Sequence, residues 1–363
     1  MECLDVRYKQ VDQIPIRLDV YPPHFKSQPD TYPRLPAVVY FHGGGLAVGN
    51  RTSWFPTWLK DRIVAAGIVF ISADYRLIPS CTVHEVTDDV KDVFSFLSQD
   101  DLCFKTDNST LFGLDPTSLA VAGSSSGGYC AYLAALYASP KPKAVLGLYA
   151  TGGQLFTPLS LVVKKEVFYR KRELLDPQEF SEFIYPKCKS LKSISDSPLS
   201  YHPPTHPTRP GWWANPRMAV ARLYLQLGLT LDYLTGQHEP SLSEQLRPLL
   251  ETSSSTDPFV LQETMKKHIP SVHHAVFPQL NVTAQFPSTF LVHGSVDTAV
   301  IPEESLHMQA LLKRAGVAVQ LLMLEGADHS FDYVPNAEGL YASHFDEMAE
   351  FLTRTLKSTG ACR

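Results

Sequence analysis

A serine attacks an acyl carbon only if its hydroxyl is exposed and a base stands beside it, and one serine of this chain is placed for that. Ser125 lies in Gly123-Ser124-Ser125-Ser126-Gly127-Gly128, directly after the apolar run Leu119-Ala120-Val121-Ala122. A short strand leading in and a helix leading out give the Gly-x-Ser-x-Gly pattern its meaning. The chain must reverse so sharply there that the serine adopts a strained backbone conformation. Gly123 and Gly127, two residues either side, avoid the clash that side chains would make. The turn would aim the Ser125 hydroxyl away from the sheet, at the positive end of the next helix. Ser124 and Ser126 compete for the register, but only Ser125 has glycine at both minus two and plus two.

Three further stretches supply what such a serine needs. His42-Gly43-Gly44-Gly45 follows the apolar run Leu35 to Phe41, and bare glycines let backbone N–H groups approach a ligand closely. With the N–H of Ser126 they would bind the oxyanion of a tetrahedral intermediate. A base must take the serine proton, and a carboxylate must orient the base. His329 sits in Glu325-Gly326-Ala327-Asp328-His329-Ser330-Phe331, and Asp297 in His293-Gly294-Ser295-Val296-Asp297. Each follows a strand-like run, with room for one helix and one strand between them. Both therefore fall in loops at the carboxyl ends of strands, where open α/β sheets place their sites.

The competing residues read differently. Among 13 histidines, His293 precedes a glycine at a strand end and reads as structural. His273 and His274 could line a pocket but precede the acid. Asp328 adjoins His329 and points elsewhere, and Asp332 is the weaker alternative acid. Glu303 and Glu304 open a helix and would satisfy its N-terminus.

Composition narrows the class. Hydrophobic residues make up 44% and charged residues 19% of 363, enough apolar material for a sizeable core. The net charge of −5 with no basic stripe disfavours nucleic acid as a partner. No apolar stretch is long enough to span a membrane, so stable membrane insertion is not expected. Met1-Glu2-Cys3-Leu4-Asp5 has no basic-then-apolar signal, and the six scattered cysteines read as reduced thiols of a cytoplasmic protein. Their spacing holds no metal site, which disfavours metal hydrolysis. Asn108-Ser109-Thr110 and Asn281-Val282-Thr283 match the glycosylation pattern by chance on this reading.

The elements that must position these residues follow from periodicity. Val6 to Val11 and Ile14 to Val20 read as an antiparallel hairpin. Leu35 to Phe41, Ile68 to Ala73, Leu119 to Ala122, Ala144 to Tyr149, Ser288 to Val292 and Val317 to Leu324 read as strands. Trp54 to Ala66, His84 to Leu97, Ser126 to Tyr137, Pro302 to Ala315 and Leu340 to Leu356 read as helices. This order predicts a mostly parallel sheet with helices on both faces. Between Tyr149 and Pro287 the rhythm breaks into a stretch rich in proline and aromatics. Helical candidates there are Gln178 to Tyr185, Met218 to Leu231 and Pro258 to His268, and Glu251 to Thr256 reads as a surface loop. The expected organisation is a core of residues 1–150 and 286–363 with an inserted cap or lid over 151–285.

With these residues in this order, the chain resembles the hormone-sensitive-lipase-like branch of the α/β-hydrolase superfamily. It looks especially like a fungal-type member of its esterases with a third-type hydrolase domain. The resemblance rests on His42-Gly43-Gly44-Gly45, Asp74-Tyr75-Arg76-Leu77-Ile78-Pro79, Gly123 to Gly128 and the Asp297 and His329 loops. It implies an α/β-hydrolase fold with a mostly parallel eight-stranded sheet, and a serine carboxylesterase with an acyl-enzyme intermediate. Ser125, Asp297 and His329 would be the triad, Gly43, Gly44 and Ser126 the oxyanion donors, with no cofactor and no metal. The family has Asp where this chain has Ser124, Ala where it has Ser126, glycine where it has Ser330, and Pro-Glu where it has Pro79-Ser80. No counterpart of its N-terminal cap helices is expected, since the first strand is read almost at the start of the sequence.

The expected partner is a small ester, short- or medium-chain and soluble. Trp212, Trp213, Tyr201 and Phe183 line an apolar pocket on one reading and form the small core of the cap on the other. Amide, formamide or lactone hydrolysis uses the same triad. A receptor that binds a small ligand on this fold is the alternative of another class, told apart by tight binding without turnover. A peptidase is disfavoured, because no propeller or other peptide-gating domain precedes the hydrolase. The oligomeric state is unknown from sequence.

Overall fold

A computed structural model describes residues 3–24, 32–252 and 257–358. Its strands are β1 (Leu4–Val11), β2 (Ile14–Tyr21), β3 (Arg34–Phe41), β4 (Val69–Ala73), β5 (Phe104–Lys105), β6 (Leu111–Ser124), β7 (Ala144–Leu148), β8 (Ser288–Gly294) and β9 (Val319–Leu324). Eight of them form one sheet in the order β1-β2-β4-β3-β6-β7-β8-β9. The hairpin β1–β2 is antiparallel and joins β4 antiparallel; every later pairing along the sheet is parallel. The expected eight strands are present, and the two-residue β5 adds a ninth beside β6. β6 begins well before Leu119, because Phe112 and Leu114 are buried and the Arg34–Leu35 end of β3 pairs with this segment.

Every residue of β4 and β7 is buried, the pattern of parallel strands covered on both faces. Alternation along β3 shows how the cover divides. Val38 and Tyr40 pack with α1 (Thr57–Ala65) and, near the C-terminus, the helix over Ala337–Lys357. Ala37, Val39 and Phe41 face α2 (Val83–Leu97) and α3 (Ser126–Tyr137) on the other side. α1 starts three residues later than expected, because Pro56 precedes its first turn and Trp54 takes a positive φ of 44°. Thr82 and Glu85 close the start of α2 reciprocally, each side chain reaching the other's backbone.

All remaining helices but the last two lie between β7 and β8. They are α4 (Pro158–Leu161), α5 (Arg217–Leu227), α6 (Thr230–Thr235), α7 (Leu242–Thr252) and α8 (Pro258–His268). The single helix expected over Met218 to Leu231 is broken at Gly228, whose left-handed φ of 63° ends α5. A side chain there would also meet the Leu161 carbonyl oxygen at 2.7 Å. Gln178 to Tyr185 forms a 3₁₀ segment, Pro177–Phe183, with a kink at Phe180. α7 takes up Glu251 and Thr252 of the expected loop, and the rest of that loop lies outside the described residues. After β8 come α9 (Glu303–Arg314), β9 and α10 (Ala337–Lys357). Among the described residues, no helix is long and apolar enough to cross a membrane.

Candidate active site

Ser125 lies between β6 and α3, at the helix cap, with φ 53° and ψ −122°, the strained conformation its motif predicts. Its N–H donates to the Leu148 carbonyl at 2.9 Å, and its own carbonyl accepts from the Gly128 and Thr151 amides. These bonds hold the turn from both sides. A Cβ on Gly123 would lie 2.0 Å from the Gly127 carbonyl oxygen, and one on Gly127 would lie 2.0 Å from that of Phe41. The turn therefore forms only with glycine at both positions.

The loops after β8 and β9 bring Asp297 and His329 to this turn. His329 Nε2 lies 3.2 Å from Ser125 Oγ, and His329 Nδ1 lies 2.7 Å from Asp297 Oδ2. A carboxylate only accepts, so Nδ1 carries the imidazole proton and Nε2 presents its lone pair to the serine hydroxyl. Asp297 Oδ1 accepts from the Ala299 and Val300 amides at 2.8 and 2.9 Å. Burial pushes the Asp297 carboxyl up, but hydrogen bonds from His293, His329 and the Val300 amide outweigh it and hold the group well below the usual carboxylate range. His293 thus has a part in the site beyond its structural reading. Its Nε2 lies 3.3 Å from Asp297 Oδ2, and its ring is fully buried.

The rival acids are otherwise engaged. Asp332 accepts from the Tyr149 hydroxyl at 2.7 Å and from the Trp58 indole at 3.1 Å. The Tyr149 ring in turn packs edge-on against His329, with centroids 4.6 Å apart, so Asp332 supports the base through Tyr149. Asp328 accepts from the amide of His329 and pairs with Arg170 at 3.4 Å. Ser330 takes a left-handed φ of 61° directly after the histidine.

The glycine loop lies against the serine turn. A Cβ on Gly43 would come 3.3 Å from Ser125 Cβ; Gly44, at φ 112°, would put one 2.0 Å from the Val48 carbonyl oxygen. The Ser126 amide begins α3, where backbone N–H groups are free of helical partners. His42 is buried beneath the loop, stacked on Tyr75 at 4.5 Å, and donates from Nδ1 to the Gly43 carbonyl at 2.7 Å. Burial pushes its pKa down to about 4, so it stays neutral. The Asp74-Tyr75-Arg76 stretch braces this corner. Tyr75 donates to the His42 carbonyl, Asp74 accepts from the Arg51 amide and guanidinium, and Arg76 pairs with the buried Asp89. Ser124, before the nucleophile, shares a 2.7 Å hydrogen bond with Tyr40.

A cavity of about 240 Å³ opens above Ser125 and His329. Tyr201 and Trp213 line it, as one of the two sequence readings has it, whereas Phe183 and Trp212 do not. His273 bonds His84, and His274 caps carbonyls of Lys266 and Ile269, so neither reaches the cavity. Glu304 begins α9 but turns its carboxylate to the Gln154 amide at 2.6 Å rather than to its own helix. Three arginines that the sequence reading passed over, Arg170, Arg172 and Arg222, also line the cavity. The signal for Arg222 was a lone charge inside the apolar run Met218 to Leu225. A second, apolar cavity of about 90 Å³ adjoins the first along Gly45, Ala221 and Leu225 and ends on Leu155, Leu159 and Leu234.

Comparison with known proteins bears on this arrangement. A family model described as alpha/beta hydrolase fold matches residues 38–205, and one described as prolyl oligopeptidase family matches residues 250–359. The chain is 26% identical over 353 residues to the non-reducing polyketide synthase pkbA of Emericella nidulans, which covers 92% of this chain and 13% of that protein. The chain thus spans only a small part of the length of the synthases it matches. It is 30% identical over 149 residues to the probable carboxylesterase M8 of a Phoma species, covering 40% of this chain and 46% of that one. The structure of an esterase, Est2 from Thermogutta terrifontis, shares the fold with a TM-score of 0.55 at 18% identity, over 99% of this chain and 95% of that one.

Proposed function

We propose that this chain, which has the α/β-hydrolase fold, is a serine carboxylic ester hydrolase acting through an acyl-enzyme on short- or medium-chain soluble esters. One observation carries the reading: the hydrogen bonds run from Ser125 through His329 to Asp297, and they start at a serine held in a strained turn.

Ser125 Oγ attacks the ester carbonyl carbon while His329 Nε2 takes the hydroxyl proton. Asp297 holds the imidazole tautomer and stabilises the imidazolium. The carbonyl π electrons move to oxygen, and the Gly43, Gly44 and Ser126 amides meet that charge; each such donor is typically worth ~3–4 kcal/mol in the transition state. The intermediate collapses, the carbon–oxygen bond to the leaving alcohol breaks, and His329 gives the alcohol its proton. Water then attacks the Ser125 ester by the same route, which releases the carboxylic acid and restores the serine. The small apolar cavity beside the glycine loop supports a short acyl chain.

The alignment with polyketide synthases over most of the chain favours a second reading, in which the acyl group is a polyketide presented as an ester or thioester. The chemistry at Ser125 is unchanged, and only the leaving group differs.

The test is hydrolysis of a 4-nitrophenyl ester series, acetate to palmitate, by wild type and Ser125→Ala. Turnover with a short- or medium-chain optimum, reduced at least ~10³-fold in the variant, is the expected result. Wild-type rates in Ser125→Ala would overturn the assignment. An acyl thioester assayed through the released thiol separates the second reading. Tight ligand binding by a folded wild type that turns over no ester would point to the receptor alternative.

A further inference from the structure

The cavity over Ser125 is lined by three arginines and by no aspartate or glutamate. Arg170 is neutralised by Asp328. Arg222 is not. It projects from α5, is only 4% exposed, and its Nε, Nη1 and Nη2 have no hydrogen-bond partner among the described residues. Its guanidinium lies over the Trp213 ring, 5.0 Å from the centroid. Arg172 stacks on the same ring at 5.4 Å, so a single indole gathers two guanidinium groups at the edge of the cavity. Burial and the neighbouring Arg172 push the Arg222 pKa down to about 10, which still leaves it charged at neutral pH.

Burying the Arg222 guanidinium with its donors unsatisfied beside a second, exposed positive charge is costly, because it loses water without gaining a counter-ion. Stacking on Trp213 offsets part of that cost but uses the face of the Arg222 guanidinium and leaves its in-plane N–H donors free. Planar, forked donors of this kind match the oxygens of a carboxylate or phosphate two at a time. The apolar cavity on the other side of Ala221 and Leu225 holds no such donors, so the two halves of the site differ in chemistry.

We propose that Arg222, with Arg172, forms an anion subsite, and that the substrate is an ester carrying a carboxylate or phosphate group. This rests on the hydrolase reading above and deepens it. The subsite binds the anionic end of the substrate while Ser125 attacks the ester carbonyl.

The experiment compares matched pairs of esters. On the acyl side, mono-4-nitrophenyl adipate is compared with 4-nitrophenyl hexanoate. On the leaving-group side, 4-acetoxybenzoate is compared with its methyl ester. Wild type should prefer the anionic member of at least one pair by about tenfold or more in kcat/KM, and the pair that responds shows which end of the substrate the arginines hold. Arg222→Met should bring that ratio to about one, and Arg222→Lys should restore part of it. Ratios near or below one for both pairs in wild type, or a preference that Arg222→Met leaves intact, would overturn the proposal. If Arg222→Met does not fold, Arg172→Gln and Arg222→Gln are read in the same way.

Labelling of Ser125 by a fluorophosphonate separates this result from a failure of the hydrolase reading. If wild type hydrolyses no ester, calorimetric binding of adipate and 4-hydroxybenzoate to Ser125→Ala decides the subsite alone. Binding lost on adding Arg222→Met supports it, and no binding of either anion overturns it.

Discussion

His293 and His329 converge on the same oxygen of Asp297, at 3.3 and 2.7 Å. His293 Nε2 also faces the Val300 carbonyl at 2.9 Å, which can only accept, so Nε2 bears a proton, and Nδ1 shares a 2.7 Å hydrogen bond with the Ser305 hydroxyl. His293 is therefore a donor that positions the acid. Replacing it with leucine should lower kcat by about tenfold to a hundredfold with little change in KM, through a misplaced acid. Because one of the bonds that depress Asp297 is lost, the acid limb of the pH profile should move upward. An unchanged limb with a uniform loss of folded protein would mean that His293 only packs.

Asp297→Asn should cost more. The amide accepts at one atom only and no longer stabilises an imidazolium, so a fall of about 10⁴ in kcat is expected with the fold retained. A burst titration of Ser125 together with steady-state kinetics checks this. Activity within tenfold of wild type would transfer the role of the acid to another carboxylate, and Asp332 would be the next to mutate.

Gly44→Ala tests the oxyanion loop. The new methyl group would sit 2.0 Å from the Val48 carbonyl oxygen at a φ of 112°, so the loop must move. Loss of one donor's worth of transition-state stabilisation, about 10²–10³ in kcat, should follow while fluorophosphonate labelling persists at a reduced rate. Full activity would place the oxyanion elsewhere.

Glu304 makes stability fall with rising pH. Burial pushes its pKa up to about 7 from the ordinary 4.5, despite the amides of residues 152–154 that hold the charged form. Between those two values the folded chain keeps the proton and the unfolded chain releases it. The contribution is fully present below about pH 4.5 and is lost as pH climbs through about 7. Relative to Glu304→Gln, wild type should lose about 2–3 kcal/mol of unfolding free energy between pH 4.5 and 8, measured by urea denaturation. Parallel curves would show that Glu304 keeps one protonation state throughout.

The frame of the site was legible because its signals are local. The elbow, the glycine loop and the two loops after β8 and β9 each announce themselves within a few residues, and strand periodicity supplies their order. The cap was harder to read. Gly228 ends α5 in a left-handed cap close to the Leu161 carbonyl, and the Pro177–Phe183 segment is 3₁₀ with a kink at Phe180, neither of which the amphipathic pattern encodes. The arginines were passed over for a related reason. Arg172 and Arg222 lie 50 positions apart in sequence and meet only because both stack on Trp213, and aromatic residues drew attention to the pocket's apolar content instead.

The helical segment between β7 and β8 leaves one strand and returns to the other, and the two pair directly from Ala144 and Ser288 onward. It is thus an enlarged version of an ordinary crossover, tied into the sheet at a single seam. Ser125, Asp297 and His329 lie outside the seam, whereas Arg172, Trp213 and Arg222 lie within it. Exchanging only the part of the crossover beyond Thr151, whose amide holds the Ser125 turn, would remove the basic wall and spare the residues around Ser125. In this architecture, the choice of substrate can be inherited separately from the power to cleave it.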